Sequence, residues 1–328
     1  MAKERSEKAL PDRRRQHDPE RVRRAVENLE RLLREHDWRW TRQSREFLAR
    51  LKPSETGADV SQAQMELEGE REGVDKAALE EAQELICEAW EQTGKRRVAL
   101  ARAALEICRD CADAYVILGE EAESWEEACN YFRRGVEAAE RALGLEAFVK
   151  HAGHFWNLFE ARPYMRAKLS LADCLFHSGQ YEEAVQHFEE LLHLNPNDNQ
   201  GVRYWYALCL FAMNDNEALG RLLDRYAWDV TAPWTYTRAL WAYRVRGPGR
   251  ARTALQRALE SNPYVPDYLL GRKEIPRDLP DYVGIGSDEE AAAVAEAIGE
   301  AWEETPGALN WLRESLPKRP DHTSREKS

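Results

Sequence analysis

From Lys76 to Leu316 the large apolar residues recur at intervals of three and four, the spacing that lays them along one stripe of a helix. Ala, Leu, Glu and Arg fill these runs. The whole chain holds only six Ile and nine Thr, so strands have little to be built from. Gly and Pro fall between the periodic runs, where they end helices of ordinary length. Residues 77–107 read as a hairpin turning near Thr93-Gly94. Ser287-Asp-Glu-Glu290 is a capping box opening a helix to about Glu304, and Thr305-Pro306 starts a last short helix through Trp311 and Leu312. Far upstream, Asp18-Pro19 reads as the N-cap and first turn of another helix. Its stripe is Val22, Val26, Leu29, Leu33, His36 and Trp40, extended by Phe47 and Leu51.

Charge divides the chain. It has 328 residues, a net charge of −12 and a mean hydropathy of −0.71. Residues 1–52 carry 16 Lys/Arg against 10 Asp/Glu, a net +6, which leaves −18 on the remainder. The pattern predicts a disordered basic tail at 1–17 and a basic amphipathic helix at 18–52. That helix docks on its own domain or a second copy, or lies on a membrane surface. Residues 53–75 hold seven acidic side chains, one Arg, one Pro and three Gly. Such a composition buries too little apolar surface to offset chain ordering and predicts a flexible linker. A second disordered tail is expected at 317–328. No run approaches the roughly 18 apolar residues of a membrane span, and the N-terminus lacks the apolar core of a signal peptide. The acidic balance argues against nucleic acid as a partner. Six Cys in so long a chain make no disulfide framework, which points to the reducing cytoplasm.

An internal repeat organises residues 76–316. At a shift of 34, Ala172 falls on Tyr206, Leu171 on Trp205, Leu175 on Cys209, Ala184 on Ala218 and Phe188 on Leu222. One copy runs Leu171-Ala172, Leu175, Gly179, Tyr181, Ala184, Phe188, Leu191 and Pro196, which matches the tetratricopeptide pattern. Each position has a mechanical reason: Ala172 and Ala184 let paired helices approach, Gly179 turns the chain and Pro196 stops the second helix. Other copies are degenerate. Ala128 follows Ala112 by 16 residues where a full repeat places it 19 on, while Ala251, Leu255, Ala258 and Asn262-Pro263 close a later copy. The expected architecture is an all-α, tetratricopeptide-like helical-hairpin solenoid with degenerate repeats and a C-terminal helical cap.

Further stretches resemble the suppressor-of-tumorigenicity-7 family and its shorter bacterial relatives. They are Cys111-Ala-Asp-Ala-Tyr-Val-Ile-Leu-Gly-Glu-Glu-Ala122, Arg134 to Leu143, Gly153-His-Phe-Trp156, Arg162-Pro-Tyr-Met-Arg166, Asn195 to Tyr204, Asn262 to Leu270 and Thr305 to Trp311. The resemblance covers about two-thirds of the chain. It implies a tetratricopeptide-like fold and no catalytic residue set. The hydrophobic N-terminal spans of the eukaryotic members have no counterpart in this sequence.

In such solenoids the first helix of each repeat lines the concave face. At the 34-residue register those positions are Arg166, Leu169, Asp173 and Phe176, then Gln200, Arg203, Ala207 and Leu210. The carboxylate clamp of tetratricopeptide co-chaperones needs a cation at the fifth position and Asn at the ninth. Leu169 with Asp173, and Arg203 with Ala207, do not supply it. Residues 147–166 interrupt the repeat. Phe155, Trp156 and Phe159 read either as an aromatic wedge between repeats or as a pocket wall beside Arg166 and Arg203. His151 and His154, one turn apart, lack a nearby third metal ligand. Cys108 and Cys111 have no partner motif for zinc, and with Cys174 and Cys209 they read as buried small hydrophobes. His177, His187 and His193 read as surface or cap residues. No nucleophile elbow, phosphate loop, zinc-protease or dinucleotide motif occurs.

These observations point to a non-catalytic protein- or peptide-binding adaptor without a cofactor. Its expected binding side chains are Arg166, Asp173, Phe176, Arg203, Tyr204, Trp156, His154 and Arg162. The alternatives are a peripheral membrane factor held by the N-terminal helix and, more weakly, a metal-dependent enzyme centred on His151 and His154.

Overall fold

Thirteen α-helices and two short 3-10 turns follow one another, with no strand, among the residues described by the structure, a computed structural model covering 74–279 and 283–316. The tail expected at 1–17, the helix at 18–52, the tail at 317–328 and all but the last two residues of the linker lie outside the described residues. Asp75, the last linker residue, caps α1 (Lys76–Trp90) by accepting from Ala77 N and Ala78 N.

The first hairpin pairs α1 with α2 (Gly94–Ile107), and the second pairs α3 (Ala112–Glu120) with α4 (Trp125–Leu143). The chain then makes α5 (Leu145–His151) and the turns Phe155–Asn157 and Phe159–Ala161. A third hairpin joins α6 (Arg162–His177) to α7 (Tyr181–Leu194), and a fourth joins α8 (Val202–Ala212) to α9 (Asn216–Arg225). The fifth is folded out of α10 (Ala232–Ser261), which kinks where Gly247 takes φ 77° and ψ 170°, followed by Pro248. Then come α11 (Val265–Leu269), α12 (Asp288–Glu304) and α13 (Ala308–Ser315). The capping box is as expected at its Ser: Ser287 accepts from Glu290 N. The Glu290 carboxylate reaches back to Gly286 N and also accepts from Asn262.

Each hairpin packs on the next, and the first helices α3, α6, α8 and α10 also touch in sequence. One apolar core runs from α3 to α13, and a second, smaller one lies among α1, α2 and α3. Ala172 and Ala184 are wholly buried, as their motif positions require. Gly119 lets the Phe132 ring lie against the backbone of α3; a methyl group there would overlap the ring. The aromatic insert divides its labour. Phe155 is the buried wedge, packed with Phe148 and Tyr164, whereas Phe159 faces outward and Trp156 is half-buried.

The structure shifts the repeat register by one residue. Gly179 and Asn214 occupy the same left-handed turn position, with φ of 76° and 56°. Gln180 N donates to Leu175 O at 2.8 Å, and Asp215 N to Leu210 O at 2.9 Å. The first helices of these hairpins are therefore offset by 35, not 34. Ala172 is matched by Ala207, Cys174 by Cys209 and Leu175 by Leu210. A one-residue slip turns a helix face by about 100°. Arg203 consequently takes the position of Lys168, and both are buried rather than set on an open face.

Two further expectations change. Cys174 is bonded to Cys129, their Cα atoms 5.8 Å apart, so a disulfide ties α4 to α6 and four cysteines stay free. The spacing argument treated Cys174 as a core filler because Cys129 lies 45 residues away and only the packing of adjacent hairpins brings them together. His187 is buried, not at the surface, and burial pulls its pKa below the usual value. Among the described residues no helix is long and apolar enough to cross a membrane.

Candidate functional site

The expected binding residues fall into four groups that no hydrogen bond, ion pair or ring contact of the described residues joins. The first sits where α3 meets α6. Asp113 is completely buried and accepts from Arg166 Nε at 2.8 Å and Nη2 at 2.6 Å. Gln83 Nε2 donates to the same carboxylate at 3.0 Å. The bidentate pair ties two hairpins together and leaves the outer side of the guanidinium part exposed.

Arg203 and Tyr204 form the second group. The Arg203 guanidinium bonds Asp198 and Asp229, each at 2.7 Å, and Tyr204 Oη at 2.8 Å. The rings of Tyr204, Tyr226, Trp228 and Trp234 enclose it at 4.4–5.9 Å. Tyr204 donates in turn to Asp229, and burial raises its pKa. Asp198 also caps α8, accepting from Val202 N and Arg203 N. This group fastens the Asn195–Gln200 loop and the start of α10, and its cation is already neutralised twice.

Outward from α6 lies the third group, where Arg162 covers the rings of Phe159 and Trp156 at 4.2 and 5.0 Å. Phe159 is 71% exposed, and His154 is exposed beside it in sequence. Among the described residues no group of three His, Cys, Asp or Glu side chains is placed to hold a metal ion, the His151 and His154 pair included.

Asp173 and Phe176 belong to a further cluster that spacing alone did not reveal. His177 stacks on Trp125 with ring centres 5.2 Å apart and an interplanar angle of 8°. On its other sides lie Trp205 at 6.2 Å and Phe176 at 5.1 Å. His177 Nδ1 hydrogen-bonds the Asp173 backbone O at 3.0 Å, the Asp173 carboxylate lies alongside with Oδ1 at 3.3 Å, and burial pushes the carboxyl pKa up. Trp125 is 53% exposed and Trp205 38%. Together they make an aromatic ridge across three successive hairpins, from the start of α4 over the end of α6 to α8. The Cys129–Cys174 disulfide underlies it, and Cys174 Sγ lies 3.3 Å from Trp125 O. The signal in the sequence was one Trp at a helix start and one in a repeat position normally closed off by packing. Neither is recognisable until the 35-residue register is known.

The model described as "ST7 protein" matches residues 73–199, and a "Tetratricopeptide repeat" model matches 175–227. This is a tetratricopeptide-repeat protein resembling the ST7 family. Protein ST7 homolog of Drosophila melanogaster is 29% identical over 261 residues, covering 72% of this chain and 48% of that protein. Suppressor of tumorigenicity 7 protein-like of Homo sapiens is 30% identical over 253 residues, 69% of this chain and 43% of that protein. The Danio rerio protein of the same description is 28% identical over 263 residues, covering 73% and 45%. The chain spans less than half the length of these curated relatives. The ST7 match takes in the Asp113–Arg166 pair, Trp125 and His177. The repeat match takes in His177, Trp205, and Asp198, Arg203, Tyr204 and Tyr226 of the Arg203 group, and ends before Trp228, Asp229 and Trp234.

Proposed function

We propose that this ST7-like chain is a non-catalytic adaptor that holds a protein or peptide on the ridge of Trp125, His177 and Trp205. The observation that carries the reading is the exposure of two tryptophans around a fixed imidazole on a rigid stack of repeats. Large aromatic side chains open to water but locked in place are the anchors that dominate protein contacts, each worth about 2 kcal/mol or more on truncation. Asp173 and Phe176 support the ridge. Arg166, near the other end of α6, is spent on Asp113, and Arg203 acts as an internal brace.

Capture from native lysate by the full chain, compared with Trp125→Ala/Trp205→Ala, tests this. Both tryptophans are surface residues, and circular dichroism checks that the variant keeps its helices. The reading predicts a discrete protein recovered by the wild type and lost from the variant. Equal recovery by both would rule out the ridge as the site.

A further inference from the structure

Toward the C-terminal end of the solenoid a cavity of about 360 Å³ opens between the α8–α9 turn, the kink of α10 and the chain entering α13. Asn214 and Asn216 form one wall, Tyr243 and Arg244 another, and Pro248 and Pro306 close it. We propose that this cavity binds a carboxylate bearing a neighbouring N–H, the chemistry shared by the last residue of a polypeptide and an N-acyl amino acid. The inference stands apart from the ridge; of the lining residues Asn214 and Asn216 fall within the tetratricopeptide match, and Tyr243, Arg244, Pro248 and Pro306 lie beyond both matches.

Arg244 carries the argument. Its guanidinium makes no ion pair among the described residues; its one hydrogen bond is a long one, from Nη1 to Phe211 O at 3.4 Å. Other partly buried arginines, Arg97, Arg166, Arg203 and Arg238, are matched by carboxylates. Arg244 is half-buried and rests on the Phe211 ring at 5.0 Å, so its position is set while most of its N–H groups are unspent. Burial lowers its pKa, and Glu304 acts on it only through space. An anion entering the cavity relieves that penalty. A planar fork carrying a single charge fits a carboxylate, and the nearby Glu304 disfavours a dianion such as phosphate.

The same cavity offers an unspent acceptor. Asn216 Oδ1 is buried without a partner, although Asn216 Nδ2 bonds Asn214. An acceptor beside a free cation suits a ligand that presents a carboxylate and an amide N–H together. The walls are held in place beforehand. Trp241 Nε1 donates to Asn216 O at 2.8 Å, Tyr243 Oη donates to Pro306 O at 3.1 Å, and Tyr243 stacks on Trp311 at 4.8 Å. The volume is at the small end of ligand sites and accommodates one or two residues.

Calorimetric titration of the full chain with acetyl-Ala-Ala-Leu, its C-terminal amide and N-acetyl-leucine tests the proposal. The free acid should bind saturably, with the amide about tenfold weaker or worse and Arg244→Gln losing the acid by a similar factor. If Arg244→Gln fails to fold by circular dichroism, the acid-against-amide comparison on the wild type decides alone. A tripeptide at least about tenfold tighter than N-acetyl-leucine assigns the site to polypeptide ends, whereas equal affinities assign it to small N-acyl amino acids. Acid and amide binding alike, no saturable binding of any probe up to about 10 mM, or a folded Arg244→Gln that binds as the wild type does would overturn it.

Discussion

Lys168 and Glu190 form an ion pair 2.6 Å long with both side chains almost entirely out of water. Burial opposes the Glu190 charge, but Lys168 and the hydrogen bond from Tyr164 Oη at 2.8 Å outweigh it, so the Glu190 pKa stays below the usual value. Removing one member of such a pair strands the other and costs about 3–5 kcal/mol. Glu140 shares this interior with less help. Burial pushes its pKa up to about 7, and the Glu190 and Glu137 charges add to the rise against Lys168 and Arg141. A carboxyl whose pKa rises on folding stabilises the native state fully below its ordinary value of 4.5, and the contribution is lost as pH climbs through 7. Replacing Glu140 with Gln should therefore remove a fall of about 2–3 kcal/mol between pH 4.5 and 8. Urea unfolding of both proteins at pH 5 and pH 8 measures it, and an unchanged pH slope in Glu140→Gln would show that the carboxyl is not held neutral. None of this was legible in the sequence, where Lys168 and Glu190 read as ordinary charges on charged helices. Their burial depends on which face of α6 and α7 each hairpin presents, and polar spacing alone does not reveal that.

Helix by helix, the sequence was more informative. The turn at Gly179, the burial of Ala172 and Ala184, the cap at Ser287 and the last helix at Trp311 follow from local chemistry, because each is settled within a few residues. The repeat spacing was read one residue short because the second copy uses Asn214 in place of glycine at its left-handed turn. Asn is the side chain that tolerates this conformation best after Gly, so the position hides in sequence. The equivalence is measurable. Asn214→Ala should cost about 1 kcal/mol and Asn214→Gly close to nothing, while Met213→Ala, one residue earlier at φ −76°, should show no such strain. Chemical denaturation of the three variants reads the difference. A tolerant Asn214→Ala would remove the argument for the 35-residue register. That register is what places Arg203 inside and leaves Trp205 open.

Across the whole molecule, the five hairpins stack in chain order, and their exposed features lie at different places. The ridge spans α4 to α8, the Arg162 ledge stands on the insert at the opposite end of α6 from His177, and the Arg244 cavity lies toward the cap. The architecture followed from composition and periodicity because a solenoid is specified by contacts between neighbours, which repeat along the chain. The candidate site did not, since its members come from three hairpins and meet only after those hairpins pack. Asp173 and Phe176 were identified in advance as repeat-facing positions, while Trp125, His177 and Trp205 emerged from ring geometry. The central claim is that a partner covers this ridge. Hydrogen exchange of the full chain, with and without the protein recovered in the capture experiment, tests it most directly. Binding is predicted to slow exchange at the start of α4, the end of α6 and the first turns of α8. Protection confined to α10–α13, with those three segments unchanged, would contradict the account.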